Sequence, residues 1–321
     1  MGEAFSMLGV IMFVGPSLKS SRLQSDWPCE IWREGLLDLD PIAKLPVVNQ
    51  LSFVIQRCLL TMALGIVGCH TPGSEQARDS LSQPEEHVRV MGQEVSGHQL
   101  TYLLQTPGGE KPDAGWPLLL FLHGYGECGD EIVKVRKHGP PKLISQFAPL
   151  QGCTVISPQC PSDSWWRVDA LHALVEEVIA DRGDVDRDRL YVTGLSMGGY
   201  GIWSFLSHYP EYFAAAIPIC GGGDPFRLPA NRPPVKQGIV NEFLPEGLKK
   251  AMEIPVWTFH GTDDGSVPIV ETEMMIDLLK QGGNSNAKLT AFPGEGHVGA
   301  WERAYDDPQV WGWLFSQSRG L

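Results

Sequence analysis

The sequence predicts an α/β domain built on a mostly parallel central sheet with helices on both faces. Three observations carry that expectation. Short apolar runs alternate with helix-period segments from about residue 87 to the end. A glycine-flanked serine stands between a strand pattern and a helix pattern. Carboxylates and a histidine follow two later strand patterns, at the edge where open parallel sheets bind their ligands.

The elements read in chain order. His87–Val95 and Gln99–Gln105 form an opening antiparallel pair. Pro117–Leu122, Cys153–Ser157, Arg189–Gly194, Ala214–Ile219, Ile254–Phe259 and Lys288–Phe292 follow as strands. Runs of this kind suit strands covered on both faces. Val168–Ala180 is a helix, with Ala170, Leu171, Leu174, Val175 and Val178 on one face. The stretch from Asp184 to Asp188 resembles the start of a calcium loop. Arg189 and Leu195 stand where such a loop needs Gly and Glu, so a turn before the next strand is expected. No Cys/His spacing suggests zinc.

Composition bounds the function. The chain has 321 residues, 43% hydrophobic and 20% charged, which excludes a disordered, collagen-like or polytopic membrane protein. A net charge of −13 repels phosphate backbones, so nucleic acid is not an expected partner.

The first part of the chain reads differently. Residues 1–53 hold no sustained period and are expected to be a non-native or disordered extension. The apolar stretch Ala4–Val14 lacks a basic flank and makes a poor signal peptide. Residues 54–69 place Arg57 before an apolar run from Cys58 to Gly68. That run is short of the about 20 residues that span a bilayer, and suits the core of a signal segment. Ile66-Val67-Gly68-Cys69 resembles a bacterial lipobox, which implies lipidation of Cys69 and export to the cell envelope. A lipobox belongs near a start, so a start within the chain, near Leu51 or Val54, is expected; a buried helix of a real extension is the alternative. Residues 70–86 are a flexible polar linker, and 87–321 the catalytic domain.

The strongest local signal is Gly194-Leu195-Ser196-Met197-Gly198, after the strand RLYVT and before the helix YGIWSFLSHY. A turn that tight tolerates only small residues two before and two after the serine. Serine is a weak nucleophile and needs a base, which needs a carboxylate to hold its tautomer. Asp263-Asp264 and then His297 follow in the order such a triad takes.

With these motifs in place the chain resembles an α/β-hydrolase of the phospholipase/carboxylesterase group, similar to bacterial secreted esterases related to polyhydroxybutyrate depolymerases. The matching stretches are FLHGYGECGDE, PQCP with Trp165-Trp166, LYVTGLSMGGYGIW, AAAIPICGGGDP, IPVWTFHGTDDGSVP and FPGEGHVGAWERAYDDP. They cover nearly all of 87–321 in order. The resemblance implies the α/β-hydrolase fold and an ester hydrolase with Ser196 as nucleophile, His297 as base and Asp264 as its orienting carboxylate. It also implies an oxyanion hole from the backbone N–H groups of Tyr125 and Met197, an acyl pocket walled by Trp165 and Trp166, and no metal or organic cofactor. Trp301 is balanced between pocket and core, and His260 reads as a structural strand-end residue. The chain departs from the family at Cys128, where relatives usually carry Arg, and at residues 221–253, which look long and Pro-rich and are expected to overhang the site.

Three other readings compete. Gly124-Tyr125-Gly126-Glu127-Cys128-Gly129 fits G-x-G-x-x-G, as in an NAD-dependent oxidoreductase. Asp130-Glu131 follow at once, and the next strand ends without the acidic residue that would hold a ribose. A peptidase of prolyl-oligopeptidase type shares the elbow, although no large propeller-like domain is present to go with it. A hydrolase fold kept as a binding module would have lost part of the triad, and every part is here. The expected partner is a small-molecule or polymer-linked ester, with the membrane reached only through a lipid anchor. Among the cysteines after the linker, Cys153 and Cys160 are too far apart along an extended run to bond. Cys128 and Cys160 would follow adjacent strands, which makes them the pair to test against the favoured reading of free buried thiols.

Overall fold

A computed structural model describes residues 84–223, 244–251 and 253–320. The expectations for residues 1–53, the signal segment with Cys69, the linker up to residue 83 and the centre of the 221–253 insert lie outside the described residues. Eight strands form one sheet: β1 (Glu85–Val90), β2 (Thr101–Thr106), β3 (Trp116–Leu122), β4 (Thr154–Pro158), β5 (Val185–Leu195), β6 (Ala215–Ile219), β7 (Val256–Gly261) and β8 (Ala287–Phe292). Their spatial order is β1-β2-β4-β3-β5-β6-β7-β8. β1 and β2 pair antiparallel, as do β2 and β4, and the remaining pairs are parallel. This is the α/β-hydrolase fold.

The helices are α1 (Gly139–Leu143), α2 (Ala148–Gln151), α3 (Val168–Arg182), α4 (Met197–His208), α5 (Leu244–Lys250), α6 (Val270–Gln281), α7 (His297–Asp306) and α8 (Pro308–Phe315). The period-two alternation of the central strands sorts them into two layers. Leu118, Leu120 and Leu122 of β3 join Leu190 and Val192 of β5 on one face, where α3, α4, α5 and α6 contribute Leu171, Phe205, Leu248 and Met275. Leu119 and Phe121 join Tyr191 and Ile217 on the other, under Leu143, Leu150, Trp301 and Trp311 of α1, α2, α7 and α8. Both faces of the sheet are covered, so these central strands are buried throughout and mostly apolar.

Local chemistry fixes the helix ends. α3 stops at Gly183, whose left-handed φ of 64° lets its N–H return to the Ile179 carbonyl. α8 starts at Asp307, whose carboxylate accepts the Gln309 N–H at 2.8 Å, with Pro308 behind it.

Several boundaries differ from the sequence expectation, among them the end of β1, at Val90 instead of Val95, and two strand starts. β1 begins at Glu85, two residues inside the expected linker. The Asp184–Asp188 stretch does not end in a turn before β5, because β5 itself begins at Val185. The register of β3 on β5 slips there, from Trp116 opposite Val185 to Leu118 opposite Leu190. The bulged residues are held by Asp186, which accepts from the Asp188 N–H at 2.9 Å and from Arg189 Nε at 2.6 Å.

The described part of the insert adds α5, which packs on α4 and α6. From β3 the chain moves to one side, into β4, and from β5 it moves to the other, into β6. The crevice beyond the carboxyl ends of β3 and β5 is therefore the topological switch point of the sheet, where ligands bind in open α/β sheets.

Candidate active site

Ser196 sits at that switch point, between β5 and α4. Its φ of 54° and ψ of −116° lie outside the regions L-residues favour. The strain is imposed by close packing of the turn. A Cβ on Gly198 would lie 2.0 Å from the Leu122 carbonyl oxygen, and one on Gly194 2.6 Å from the same atom. Only glycine fits at either place, so the spacing of the motif follows from the approach of β3 to the elbow. The Ser196 N–H donates to the Ile219 carbonyl at 2.9 Å, which ties the elbow to β6.

The histidine comes from the far end of the sheet. His297 is the first residue of α7, after the loop that follows β8. Its Nε2 lies 2.8 Å from Ser196 Oγ, and its Nδ1 lies 2.6 Å from Asp264 Oδ2. A carboxylate can only accept, so Nδ1 carries the proton and Nε2 is left free to accept from the serine hydroxyl. Of the two neighbouring carboxylates it is Asp264 that meets the imidazole, while Asp263 is exposed and accepts from Thr262.

Asp264 is buried and fully engaged. Oδ1 accepts the N–H groups of Ser266 and Val267, each at 2.8 Å. Oδ2 faces His297 and also lies 3.2 Å from His260 Nε2. Burial pushes its carboxyl up, but bonds from His260, His297 and the Val267 N–H outweigh that and hold it well below the usual carboxylate range. His260, fully buried, spans Thr272 Oγ1 at 2.7 Å and the Val267 carbonyl at 2.8 Å. The strand-end position predicts a structural role; its further contact, to Asp264, is visible only in the fold.

The loop after β3 lies against the serine. A Cβ on Gly124 would stand 3.6 Å from Ser196 Cβ. Tyr125–Glu127 form a single 3₁₀ turn here, so the G-x-G-x-x-G stretch opens no long helix of the kind a dinucleotide site uses. Tyr125 opens this turn and Met197 opens α4, and the first N–H of a helical turn has no partner within it.

His123 anchors the loop. Its Nε2 accepts the Cys160 N–H at 3.0 Å, which leaves Nδ1–H to donate to the Gly124 carbonyl at 2.6 Å. Burial lowers its pKa to about 4, so the ring is neutral at neutral pH. Glu127 is buried beside it, with Lys137 Nζ 3.6 Å and His138 Nε2 3.8 Å from its carboxylate. Burial raises the Glu127 carboxyl against the opposing pull of Lys137.

The three tryptophans separate. Trp166 is 1% exposed and belongs to the core, where its Nε1–H donates to the His123 carbonyl and its ring meets the His123 ring edge-on. Trp165 packs edge-on against Tyr200 in the same core. Trp301, one turn along α7, meets the His297 ring edge-on at 5.1 Å. Trp301 is therefore the one in contact with the Ser196–His297–Asp264 cluster; Trp166 supports the loop through His123, and Trp165 stays in the core against Tyr200.

Cys220, at the end of β6, brings its thiol within 4.8 Å of both Asp264 and His297. Burial pushes that thiol up, and the imidazole Nδ1 is already taken by Asp264. A metal here would need the thiolate, which burial opposes, and a ring nitrogen, of which one is held by Asp264 and the other faces Ser196 Oγ. Among the described residues no helix is long and apolar enough to cross a membrane.

Comparison with known proteins agrees with the fold. The model of the prolyl oligopeptidase family matches residues 166–227 and 247–319. An uncharacterized secreted protein of Arthroderma benhamiae is 28% identical over 56% of this chain, and the match spans only 21% of that protein's own length. A poly(3-hydroxyoctanoate) depolymerase of Pseudomonas fluorescens is 25% identical over 60% of this chain and 72% of its own. Among solved structures, a thermostable esterase superposes with a TM-score of 0.59 at 29% identity, covering 73% of this chain and 63% of that one. The fold, the glycine-flanked serine elbow and these likenesses identify the chain as an α/β-hydrolase similar to the esterases of that fold.

Proposed function

We propose that the chain is an exported serine hydrolase that cleaves carboxylic esters through an acyl-enzyme. One observation carries the reading: Ser196 Oγ lies 2.8 Å from a histidine nitrogen whose partner nitrogen is held by a buried carboxylate. In this reading Ser196 attacks the acyl carbonyl while His297 takes its proton. The N–H groups of Tyr125 and Met197 receive the charge that develops on the carbonyl oxygen. His297 then returns the proton to the leaving alkoxide. Asp264, which stays ionised, holds the ring and stabilises its charged form. Water resolves the acyl-enzyme by the same route.

An ester is the substrate class that the depolymerase and the esterase support, and the first of these admits a polymer-linked ester. The family match favours a peptide amide as the second reading. A panel of aryl esters, polyesters and peptide amides separates the two. A fluorophosphonate should label Ser196, and Ser196→Ala should lower ester turnover by at least about 10⁴-fold. Labelling elsewhere, or turnover kept in the variant, would sink the mechanism; amide turnover above ester turnover would select the peptidase. Export through residues 54–69 with a lipid on Cys69 belongs to the same proposal, supported by the segment's pattern and by the secreted fungal relative. Intact residues 1–68 on the mature protein from a bacterial host would refute that part.

A further inference from the structure

Two thiols meet beside the site. Cys128 follows β3 and Cys160 follows β4, and the two loops are stitched together around them. The Gly129 N–H donates to the Cys160 carbonyl at 2.9 Å. The Cys160 N–H donates to His123 Nε2 at 3.0 Å, and Gln159 Nε2 donates to the carbonyls of Glu127 at 2.8 Å and Glu131 at 3.0 Å. Both cysteines are free thiols, Cys160 buried and Cys128 part-exposed. Cys128 Sγ also reaches Met197 Sδ at 3.9 Å, so the pair touches the residue that follows the nucleophile.

We propose that Cys128 and Cys160 are a redox-active thiol pair that closes to a disulfide and clamps the loop after β3 to the loop after β4. The Gly129–Cys160 backbone bond and the Gln159 side chain already hold the two loops side by side, and a disulfide needs Cα atoms within about 7 Å with side chains that face one another. The two side chains interact: the Cys128 thiol, and then burial, push the Cys160 thiol up.

Exposure sets the order of events. A small disulfide such as oxidised glutathione reaches Cys128 first. The Cys128 thiolate attacks one sulfur of the oxidant and expels one glutathione thiolate, leaving a mixed disulfide. Cys160 gives up its proton and attacks the Cys128 sulfur, expelling the second glutathione. Two protein thiols are oxidised, one disulfide is reduced to two thiols, and the two protons end on the glutathiones. Cys153 and Cys220 are fully buried and have no such entry. The pairing does not rest on the ester reading, because it requires only the two loops.

The test treats the full chain with oxidised glutathione or with dithiothreitol, followed by alkylation, peptide mapping and thermal melting. A linked Cys128–Cys160 peptide is expected in the oxidised wild type. Its melting midpoint should lie roughly 5–10 °C above that of the reduced protein. Cys160→Ala should stop at a glutathione adduct on Cys128, and Cys128→Ser should melt at one temperature in both conditions. Alkylation of both thiols after oxidation would overturn the proposal, as would a lasting glutathione adduct on wild-type Cys128. Equal midpoints for linked and reduced protein would overturn the clamp. Fluorophosphonate labelling of Ser196 is scored separately, so failure of the pair and failure of the esterase reading remain distinct.

Discussion

Asp264 accepts from more directions than a carboxylate with one partner requires. Two backbone N–H groups hold Oδ1, and His297 and His260 share Oδ2. An asparagine there would aim an amide N–H at a ring N–H, or surrender the backbone bonds to avoid doing so. Asp264→Asn should therefore lower kcat by about 10⁴-fold, the cost seen when a triad acid loses its charge and its grip on the tautomer. Asp263→Asn should stay within about tenfold, since that side chain is exposed and faces Thr262. The opposite order of kcat values would move the acid to Asp263. His123 gives a second residue-scale expectation, in stability. Its folded pKa of about 4 lies below the ordinary 6.5, so between those values the unfolded chain binds the extra proton. Stability from this group is complete above pH 6.5 and falls as pH drops toward 4, by about 3 kcal/mol in all. Denaturant unfolding at pH 7 and pH 4.5 should show the loss in wild type and a shallower one in His123→Gln. An unchanged slope in the variant would mean that another group titrates in that window.

At the scale of elements, the elbow is a packing problem between β3, β5 and α4. The Gly198→Ala methyl would meet a backbone oxygen at 2.0 Å, and no side-chain rotation relieves a backbone clash. That change should cost about 3 kcal/mol or more, read as a lower denaturation midpoint. Gly312→Ala is the matched control: it is exposed within α8 with nothing within 4 Å of the new methyl. It should stabilise by about 0.5–1 kcal/mol through helix propensity. Equal effects would mean that the elbow glycines are not needed for space. These glycines also explain what could be read in advance. The central strands were legible because both-face burial makes them mostly apolar, and the elbow was legible because its steric demand is written as glycine spacing. The start of β5 was not. Its first residues are the polar run Val185–Arg189, held by Asp186 and by an Arg189 bond to the Gly115 carbonyl at 2.8 Å. Periodicity cannot see a strand held by side-chain bonds to a distant loop. α1, α2 and α8 are too short to show a period, and the His260–Asp264 contact depends on the way the loop after β7 turns back on the strand end. The adjacency of Cys128 and Cys160 could be inferred from strand order, but the contact of their thiols could not.

At the scale of the molecule, the question is how much of the chain the sheet requires. Every pairing among the described residues uses strands from Glu85 onward, and Gly73–Leu321 forms one compact unit. β1 is the outermost strand at its end of the sheet, and most of its residues are exposed. It nevertheless covers the backbone of β2 along the full register from Glu85–Thr106 to Val90–Thr101. Without it, β2 would present unpaired N–H and C=O groups beside Leu103 and Leu104, which are buried. An open edge of that kind is a template for pairing between molecules. The residues proposed to catalyse sit at the other strands, so loss of β1 should act through association and not through the chemistry. A chain of residues 73–321 should therefore stay monomeric and keep turnover of a small aryl ester within about twofold of the full chain, under ~0.5 kcal/mol of transition-state stabilisation. A chain beginning at Met91, with β1 removed, should associate in a concentration-dependent way that size-exclusion chromatography detects, while its soluble monomer still labels at Ser196. If the 73–321 chain fails to fold, residues before Gly73 take part in the hydrolase domain; if the chain from Met91 stays monomeric, β1 is not what closes the sheet.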